Sequence, residues 1–344
     1  MGSEYRRHTR KRLAILAIAV ILLAAAFFFN LLSGSSGISP ETLCRTVLDP
    51  VEATARTRAI VWDMRMPIAA MGVLVGASLG SAGAVMQTIL NNPLASPYTL
   101  GVSAGASVGA SLVMVLGVSS LSILGSFLIP TAAFLFALLC CLGIYLIATR
   151  GEFSSSVMVL AGIGMVFFFQ AAQSFLQYIA SDEALSNIVF WTFGSLSKAN
   201  WINIAILSVV LLGVFGTFIA SSWKLTAMRL GDSKAQAVGV DVTALRKRMF
   251  VLISLLTATA VSFVGSIGFV GIVGPHIARM LIGEDQRFFL PLSALAGALM
   301  LSVASALSKI IVPGSVFPIG ILTSLVGVPF FFALLLGRKR NRTC

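Results

Sequence analysis

Four polar side chains are predicted to share one face of a membrane helix between residues 156 and 180. They are Gln170, Gln173, Ser174 and Gln177, and their spacing of three or four residues places them on one side of a helix. Amide groups are costly to leave against lipid, so these side chains must face a water-filled path or a neighbouring helix. Both interpretations are open: the groups solvate a passing molecule, or they join helices through hydrogen bonds.

The sequence lacks the parts that catalysis or metal binding would need. It has no Walker lysine loop, no arrangement of nucleophile and base, and no cluster with metal-ligand spacing. His276 has no second histidine, cysteine or buried carboxylate nearby, so a packed, hydrogen-bonded histidine is favoured over a metal ligand or proton relay. We therefore expect a chain that is not an enzyme and that holds no metal or cofactor.

The elements that position these residues are predicted to be membrane helices. Of the 344 residues, 58% are hydrophobic and only 10% are charged, and about 20 apolar residues suffice to cross a bilayer. Hydropathy and turn signals predict an all-α, polytopic protein with about ten membrane segments, within one membrane domain. The segments lie at about 13–33, 67–90, 99–118, 123–148, 156–180, 201–221, 249–266, 275–284, 288–311 and 318–337.

The distribution of Lys and Arg predicts the orientation of these segments. With an inner N-terminus and ten crossings, 18 of the 24 Lys and Arg residues fall inside, whereas the 12 acidic residues divide equally. An excess of Lys and Arg marks cytoplasmic loops. Both termini are therefore expected to be cytoplasmic, as a basic tail at 1–12 and a C-terminal tail at 338–344. No basic stripe carries interleaved aromatic residues, so the net charge does not indicate nucleic-acid binding.

The longest polar interruption, Ser222 to Arg248, predicts a cytoplasmic loop that meets a soluble partner. Arg246, Lys247 and Arg248 at its end are interpreted as marking the inner edge of the membrane.

Glycine patterns predict how the helices pack and where one of them breaks. Stripes at four-residue spacing let helix backbones approach closely, and the stretch between the two stripes, from Asn91 to Ser103, predicts a tight inner turn. The glycines before Pro275 predict a helix break, which is tolerable only against protein or a cavity. The two stripes are Gly72, Gly76 and Gly80 in the second segment, and Gly101, Gly105 and Gly109 in the third.

Several stretches, in order from about Arg65 to Leu336, closely resemble the FecCD permease family. They are RMPIAAMGVLVGASLGSAGAVMQTILNNPLASPYTLGVSAGASVG, VLAGIGM, WTFGSLSKANW, LGDSKAQAVGV, GSIGFVGIVGPHIARMLIGED and FPIGILTSLVGVPFF. The family comprises membrane subunits of ABC importers for ferric siderophores, haem and vitamin B12.

The resemblance implies a type II ABC importer permease fold in a bacterial cytoplasmic membrane, similar to the vitamin B12 permease. It implies a second permease, identical or paralogous, and a path along the dimer axis. Two cytoplasmic ATPases would use ATP and Mg, and an external binding protein would deliver the cargo. A ferric siderophore is the expected cargo, with haem and vitamin B12 as alternatives.

The resemblance also implies where the ATPase contact and the gate lie. The paired short helices that seat in a groove on the ATPase match Leu230 to Asp241, and the cytoplasmic gate maps onto Ser155 and Ser156. The implied contact residues are Leu230, Gly231, Asp232, Ala235, Gly239, Val240 and Asp241.

On the outer surface, the resemblance implies basic residues that dock the binding protein. Arg65 matches the first of the family's docking arginines and Lys309 the third, but the second position is Ile68. Arg56 and Arg58 are close enough in sequence to replace it. Elsewhere, Ser305 and Val316 stand where the family usually carries Asp and Glu, which leaves a heterodimer partner or structural drift as explanations.

Two other classes of membrane protein fit the sequence less well. An ion-coupled secondary transporter would need membrane-embedded carboxylates, but all 12 acidic residues fall in tails, loops or segment ends. A scaffold without transport activity would not explain the polar face of the fifth segment.

Overall fold

The computed structural model describes residues 2–34, 36–117, 122–311 and 317–340. Within these ranges seven helices are long and apolar enough to cross a membrane, and three shorter helices are also apolar. Together they confirm the predicted all-α, polytopic class with about ten membrane segments. Val316, one of the two departures noted above, lies outside the described residues.

The helices follow one another with short connections. In chain order they are α1 (Gly2–Leu32), α2 (Pro40–Leu48), α3 (Ala55–Arg58), a π-helical stretch (Ala59–Arg65), α4 (Met66–Ile89), a 3₁₀ turn (Tyr98–Leu100), α5 (Val102–Val115), α6 (Ser122–Arg150), α7 (Ser155–Ile179), α8 (Asp182–Thr192), α9 (Trp201–Ala220), α10 (Ser222–Met228), α11 (Asp232–Ala237), α12 (Val242–Val264), α13 (Val270–Ile282), α14 (Gln286–Ser308) and α15 (Ile319–Arg340).

The first helix is longer than its apolar run. Residues 2–12, expected as a basic tail, continue α1, because no Gly or Pro interrupts them after Gly2. Arg12 then pairs with Asp285 in the loop before α14, at 3.0 Å. Arg287 donates two hydrogen bonds to the same carboxylate and holds the pKa of Asp285 below its ordinary value.

The eighth predicted segment, 275–284, begins earlier than expected because Pro275 lies inside α13, which starts at Val270. Proline has no N–H to donate to the carbonyl four residues before it, which here belongs to Gly271. The Nε2 of Gln87 donates to that carbonyl instead, at 3.4 Å. A side chain of α4 therefore satisfies the hydrogen bond that α13 loses.

Helix α4 is the centre of the bundle and packs against α12, α13 and α14. Its glycine stripe brings the α4 and α14 backbones into direct contact. A Cβ on Gly76 would lie 2.6 Å from the Cα of Ala298, and a Cβ on Gly80 would lie 3.1 Å from the carbonyl carbon of Ser293. Gly72 differs, because its neighbour is the side chain of Leu196, at 3.3 Å.

The second stripe packs α5 against α6. A Cβ on Gly105 would lie 2.7 Å from the carbonyl oxygen of Phe136, and a Cβ on Gly109 equally close to the carbonyl carbon of Ala132. Gly101 is not a groove position in the helix. It precedes α5 in the left-handed conformation, with φ of 87°, which glycine adopts without strain.

The bundle has two chemically different ends. We call the end where α1 begins and α4 ends the basic end, and it also holds α10, α11 and the starts of α7, α12 and α14. The opposite end holds the C-terminus of α1 together with α2 and α3.

Candidate coupling and translocation site

Two short helices, α10 and α11, lie at the basic end and form what we call the coupling segment, residues 222–241. Gly231 separates the helices with φ of 96°, and Gly239 follows α11 with φ of 84°. The paired helices expected within residues 230–241 therefore extend further back, because only α11 lies in that range. Gly231 ends the turn after α10, in a conformation that residues with side chains rarely adopt.

The predicted contact residues divide into an exposed edge and a buried side. Leu230 is 63% exposed and Val238, which was not predicted, is 54% exposed; Gly239 beside it is also exposed. Ala235 and Val240, by contrast, are buried in the core of this chain. The small size of Ala235 therefore serves packing within the chain, and its side chain is not presented to a partner.

One side chain fastens the coupling segment to the bundle. Arg246, the fifth residue of α12, is 3% exposed. Its Nη2 donates to both carboxylate oxygens of Asp232 in α11, each at 2.8 Å. Its Nε donates to the carbonyl of Ile89 at 2.8 Å, and its Nη1 donates to the carbonyl of Phe153 at 3.1 Å. The guanidinium of Arg246 is therefore enclosed by protein and makes contacts within the chain.

A second set of contacts fastens α10 to the loop between α13 and α14. Arg229 pairs with Glu284, whose carboxylate also lies 3.0 Å from the Nε of Arg279. The backbone N–H of Gln286 donates to the hydroxyl of Thr226, at 3.3 Å. The coupling segment is thus held at two separate places.

The predicted gate residues follow a strained turn. Ser155 is half-buried and Ser156 is exposed at the start of α7. Just before them, Glu152 and Phe153 both have positive φ, of 56° and 54°. Non-glycine residues keep this conformation only where the surroundings impose it.

Aromatic packing supplies that constraint. The Phe153 ring is fully buried, with its centroid 5.3 Å from that of Tyr145 in α6 and 6.1 Å from that of Phe250 in α12. The turn before α7 is therefore fixed to two other helices.

One residue of the polar face of α7 makes a contact between helices, which is one of the two interpretations left open by the sequence. The Nε2 of Gln173 donates to the hydroxyl of Ser111 in α5, at 2.8 Å, so this amide joins two helices. Gln170 and Ser174 are exposed on the surface of the chain, and Gln177 is half-buried.

The connection between α4 and α5 is not the tight inner turn that was expected. It leaves the basic end after Ile89 and reaches Gly101, where a Cβ would lie 3.2 Å from the backbone nitrogen of Val166. Val166 is eleven residues beyond the first residue of α7, which corresponds to about 16 Å along that helix. Helix α5 therefore begins halfway along α7. Pro93 and Pro97 in this connection were the sequence signal for an extended connection, because the residue before a proline disfavours the helical conformation.

Two helix breaks meet at that level and, together with the end of α8 and with α15, line an open cavity of about 500 Å³. One break is the end of the α4–α5 connection and the other is the stretch between α12 and α13, where a Cβ on Gly268 would lie 3.7 Å from the ring of Tyr98. Among the described residues that line the cavity, none has a charged side chain. It is lined by Tyr98, Thr192, Phe193, Ser266, Gly268, Gly320, Ile321, Ser324, Leu325, Val328 and Pro329.

At the opposite end, the predicted docking residues have unequal exposure. Arg65 is 6% exposed, and its Nη1 donates to the carbonyls of residues 31 and 32 at 2.6 and 3.1 Å. The Nζ of Lys309 donates to the carbonyl of residue 30 at 3.0 Å. Both cations thus bind the C-terminus of α1, where carbonyl groups lack helical partners. Arg56 and Arg58 are exposed.

Comparison with known proteins identifies the chain. Residues 22–337 match the model of the FecCD transport family. The chain belongs to this family. It is 32% identical over 339 residues to the hemin transport system permease of Yersinia pestis, covering 98% of this chain and 99% of the relative. It is 33% identical to an Fe(3+)-citrate import system permease of Bacillus subtilis, covering 99% and 100%.

A solved structure supports the same assignment. The inward-facing structure of a metal-chelate type ABC transporter aligns with a TM-score of 0.82 and 29% identity, covering 94% of this chain and 99% of the other. The chain is therefore an ABC importer permease of the FecCD family and is not an enzyme.

In this FecCD permease, one departure from the family pattern has a visible structural context. Ser305 is fully buried and donates to the side-chain oxygen of Asn30, at 3.4 Å. Lys309 donates to the same oxygen. The position thus belongs to the group of polar side chains that hold the end of α1.

Proposed function

We propose that this permease carries a ferric siderophore across a bacterial cytoplasmic membrane, with its basic end and both termini in the cytoplasm. The observation that carries the proposal is the coupling segment, which presents an exposed apolar edge and is fastened to α12 and to the loop between α13 and α14. An apolar edge on a polar loop suits a protein partner. The excess of Lys and Arg at that end supports the orientation.

The cargo is proposed from the relatives and the cavity. An Fe(3+)-citrate permease and a metal-chelate transporter are among the similar proteins. The described residues of the cavity between the helix breaks offer hydroxyl groups and apolar surface, and none of these residues is charged. Such a wall binds cargo weakly, which suits a conduit whose affinity resides in a separate binding protein. Haem is the second candidate, favoured by the hemin permease of Yersinia pestis, and vitamin B12 is the third.

The proposed path needs a second permease, identical or paralogous. Exposed aromatic residues lie along α7 beside Gln170 and Ser174, among them Phe167, Phe168 and Tyr178. Two such faces would enclose the path and remove the polar groups from lipid. Two ABC ATPases, which bind ATP and Mg, drive the cycle from the basic end. No cofactor is assigned to the permease itself.

The proposed mechanism is alternating access. Closure of the ATPases moves the coupling segment, and this movement opens or shuts the path at Ser155 and Ser156. On the outer side, Arg56 and Arg58 orient an extracytoplasmic binding protein through its acidic groups. Arg65 and Lys309 are less suited to that task in this conformation, because their cationic groups donate hydrogen bonds to carbonyls at the end of α1.

Uptake measurements test the cargo assignment. Cells that lack the permease and complemented cells are compared for uptake of ⁵⁵Fe citrate, ⁵⁵Fe ferrichrome, haemin and radiolabelled cyanocobalamin. We expect uptake of a ferric chelate to be lost on deletion and restored by the gene. Uptake of cyanocobalamin or haemin alone that follows the gene would replace the cargo assignment. Unchanged uptake of all four would contradict transport of this class of cargo.

A further inference from the structure

We propose that Arg246 transmits movement from the coupling segment to the gate. The inference rests on the proposed function, since it needs a coupling segment that moves and a gate at Ser155 and Ser156. We define the gate loop as residues 151–154, immediately before α7. The proposal assigns Arg246 as a positioning residue that acts through this loop and touches neither nucleotide nor cargo.

The geometry of the guanidinium carries the inference. Its Nη2 atom binds the Asp232 carboxylate in α11, its Nη1 atom binds the Phe153 carbonyl in the gate loop, and its Nε atom binds the Ile89 carbonyl at the end of α4. A planar guanidinium holds its donors in a fixed arrangement. A displacement of Asp232 therefore turns or pulls the groups that hold Phe153.

The ion pair lies at the seam between the coupling segment and the bundle. The Arg246 side chain is 3% exposed, whereas that of Asp232 is 49% exposed. Burial fixes Arg246 against α4 and the gate loop, whereas Asp232 on α11 stays at the surface of the protein. A partner that moves α11 therefore acts on one end of a link whose other end is inside the protein.

The gate loop has a conformation that can respond to this link. Glu152 and Phe153 hold positive φ values, which residues with side chains adopt only under constraint. The Phe153 ring is held between α6 and α12, and its carbonyl is held by Arg246. Loss of the carbonyl contact removes one of these constraints two residues before Ser155.

The other attachment of the coupling segment supplies a matched control. Arg229 and Glu284 join α10 to the loop before α14 and make no described hydrogen bond with the gate loop. Glu284→Gln therefore removes an ion pair of the coupling segment without touching the proposed route. Arg248→Gln, two residues along α12, makes the same change of charge at an exposed side chain.

The test measures the gate directly, in the complex of the permease with its co-purifying ATPase in lipid nanodiscs. A thiol is introduced by Ser156→Cys, with Cys44→Ser and Cys344→Ser, which leaves the buried thiols Cys140 and Cys141. The rate of labelling by fluorescein maleimide is measured with and without MgATP and vanadate. We expect nucleotide to change the labelling rate at least fivefold in this parent and in the Arg248→Gln and Glu284→Gln controls. Arg246→Gln should reduce the effect below twofold. Arg246→Lys should restore part of it, because the three donors of an ammonium lie on one atom and cannot replace three separate guanidinium nitrogens.

Each result decides the proposal. A fivefold effect in Arg246→Gln, or loss of the ATPase from that variant on purification, would overturn it, because Arg246 would then be a static contact or a docking support. If Arg246→Gln does not accumulate in membranes, Asp232→Asn decides by the same criteria, since it removes the ion pair at a half-exposed side chain while its amide oxygen can still accept one hydrogen bond from the buried Arg246 guanidinium. A parent without any nucleotide effect would contradict the gate itself, and the inference with it.

Discussion

A methyl group added at Gly76 tests the direct contact between α4 and α14. The added Cβ of Gly76→Ala would lie 2.6 Å from the Cα of Ala298, whereas carbon atoms pack best at about 3.5–4.0 Å. The helices must therefore separate locally by about 1 Å. If on the order of 20 atom pairs worth about 0.15 kcal/mol each lose half of their attraction, the loss is about 1.5 kcal/mol. This value agrees with the usual cost of overpacking, about 1–3 kcal/mol.

Gly213→Ala in α9 is the matched control, because a Cβ there has no neighbour within 4 Å. We expect Gly76→Ala to lower the free energy of unfolding in mixed micelles by about 1–3 kcal/mol. Gly213→Ala should leave it unchanged or raise it slightly, since alanine is the better helix former. Equal unfolding free energies for the two variants would refute the close approach of α4 and α14.

Three further predictions concern the coupling segment, the outer surface and α7. Gly239→Trp should abolish uptake of the ferric chelate in permease that accumulates normally. Gly239→Asn should retain uptake, because asparagine tolerates positive φ. Equal uptake by both variants would argue against a partner contact at the exposed edge of the coupling segment. Arg56→Glu with Arg58→Glu should weaken association of the binding protein about tenfold in pull-down titrations, and unchanged association would remove these residues from docking. Gln173→Leu should destabilise the α5–α7 contact by about 0.6–1.7 kcal/mol, measured by unfolding, whereas Gln170→Leu should reduce uptake without affecting stability.

The sequence predicts the membrane class well, because the apolar run of each long helix is a strong local signal. Helices α9 and α12 overlap their predicted segments for this reason. Residues 2–12 extend α1 beyond the predicted first segment, because hydropathy reports where lipid begins and not where a helix begins. Gly101 was wrongly placed inside a helix, because the spacing of glycines in a sequence does not reveal whether their φ is negative or positive.

Long-range partners could not be predicted from one sequence. A cluster of basic residues at a helix start is typical of a membrane edge, and Arg246 differs from Arg248 only through contacts with residues more than 90 positions away, such as Phe153 and Ile89. Arg65 was expected at the surface for a similar reason. Its burial depends on the C-terminus of α1, about 33 residues earlier in the chain.

The apolar edge of the coupling segment also affects how the transporter must be made. Leu230 and Val238 are exposed at the basic end, where we propose that an ATPase covers them. Exposed apolar side chains on a loop in water favour aggregation and recognition by chaperones and proteases. A permease synthesised in excess of its ATPase should therefore be short-lived. Its abundance in the cell would then follow that of the motor subunit, so that the stoichiometry of the complex is set by degradation of the orphan chain.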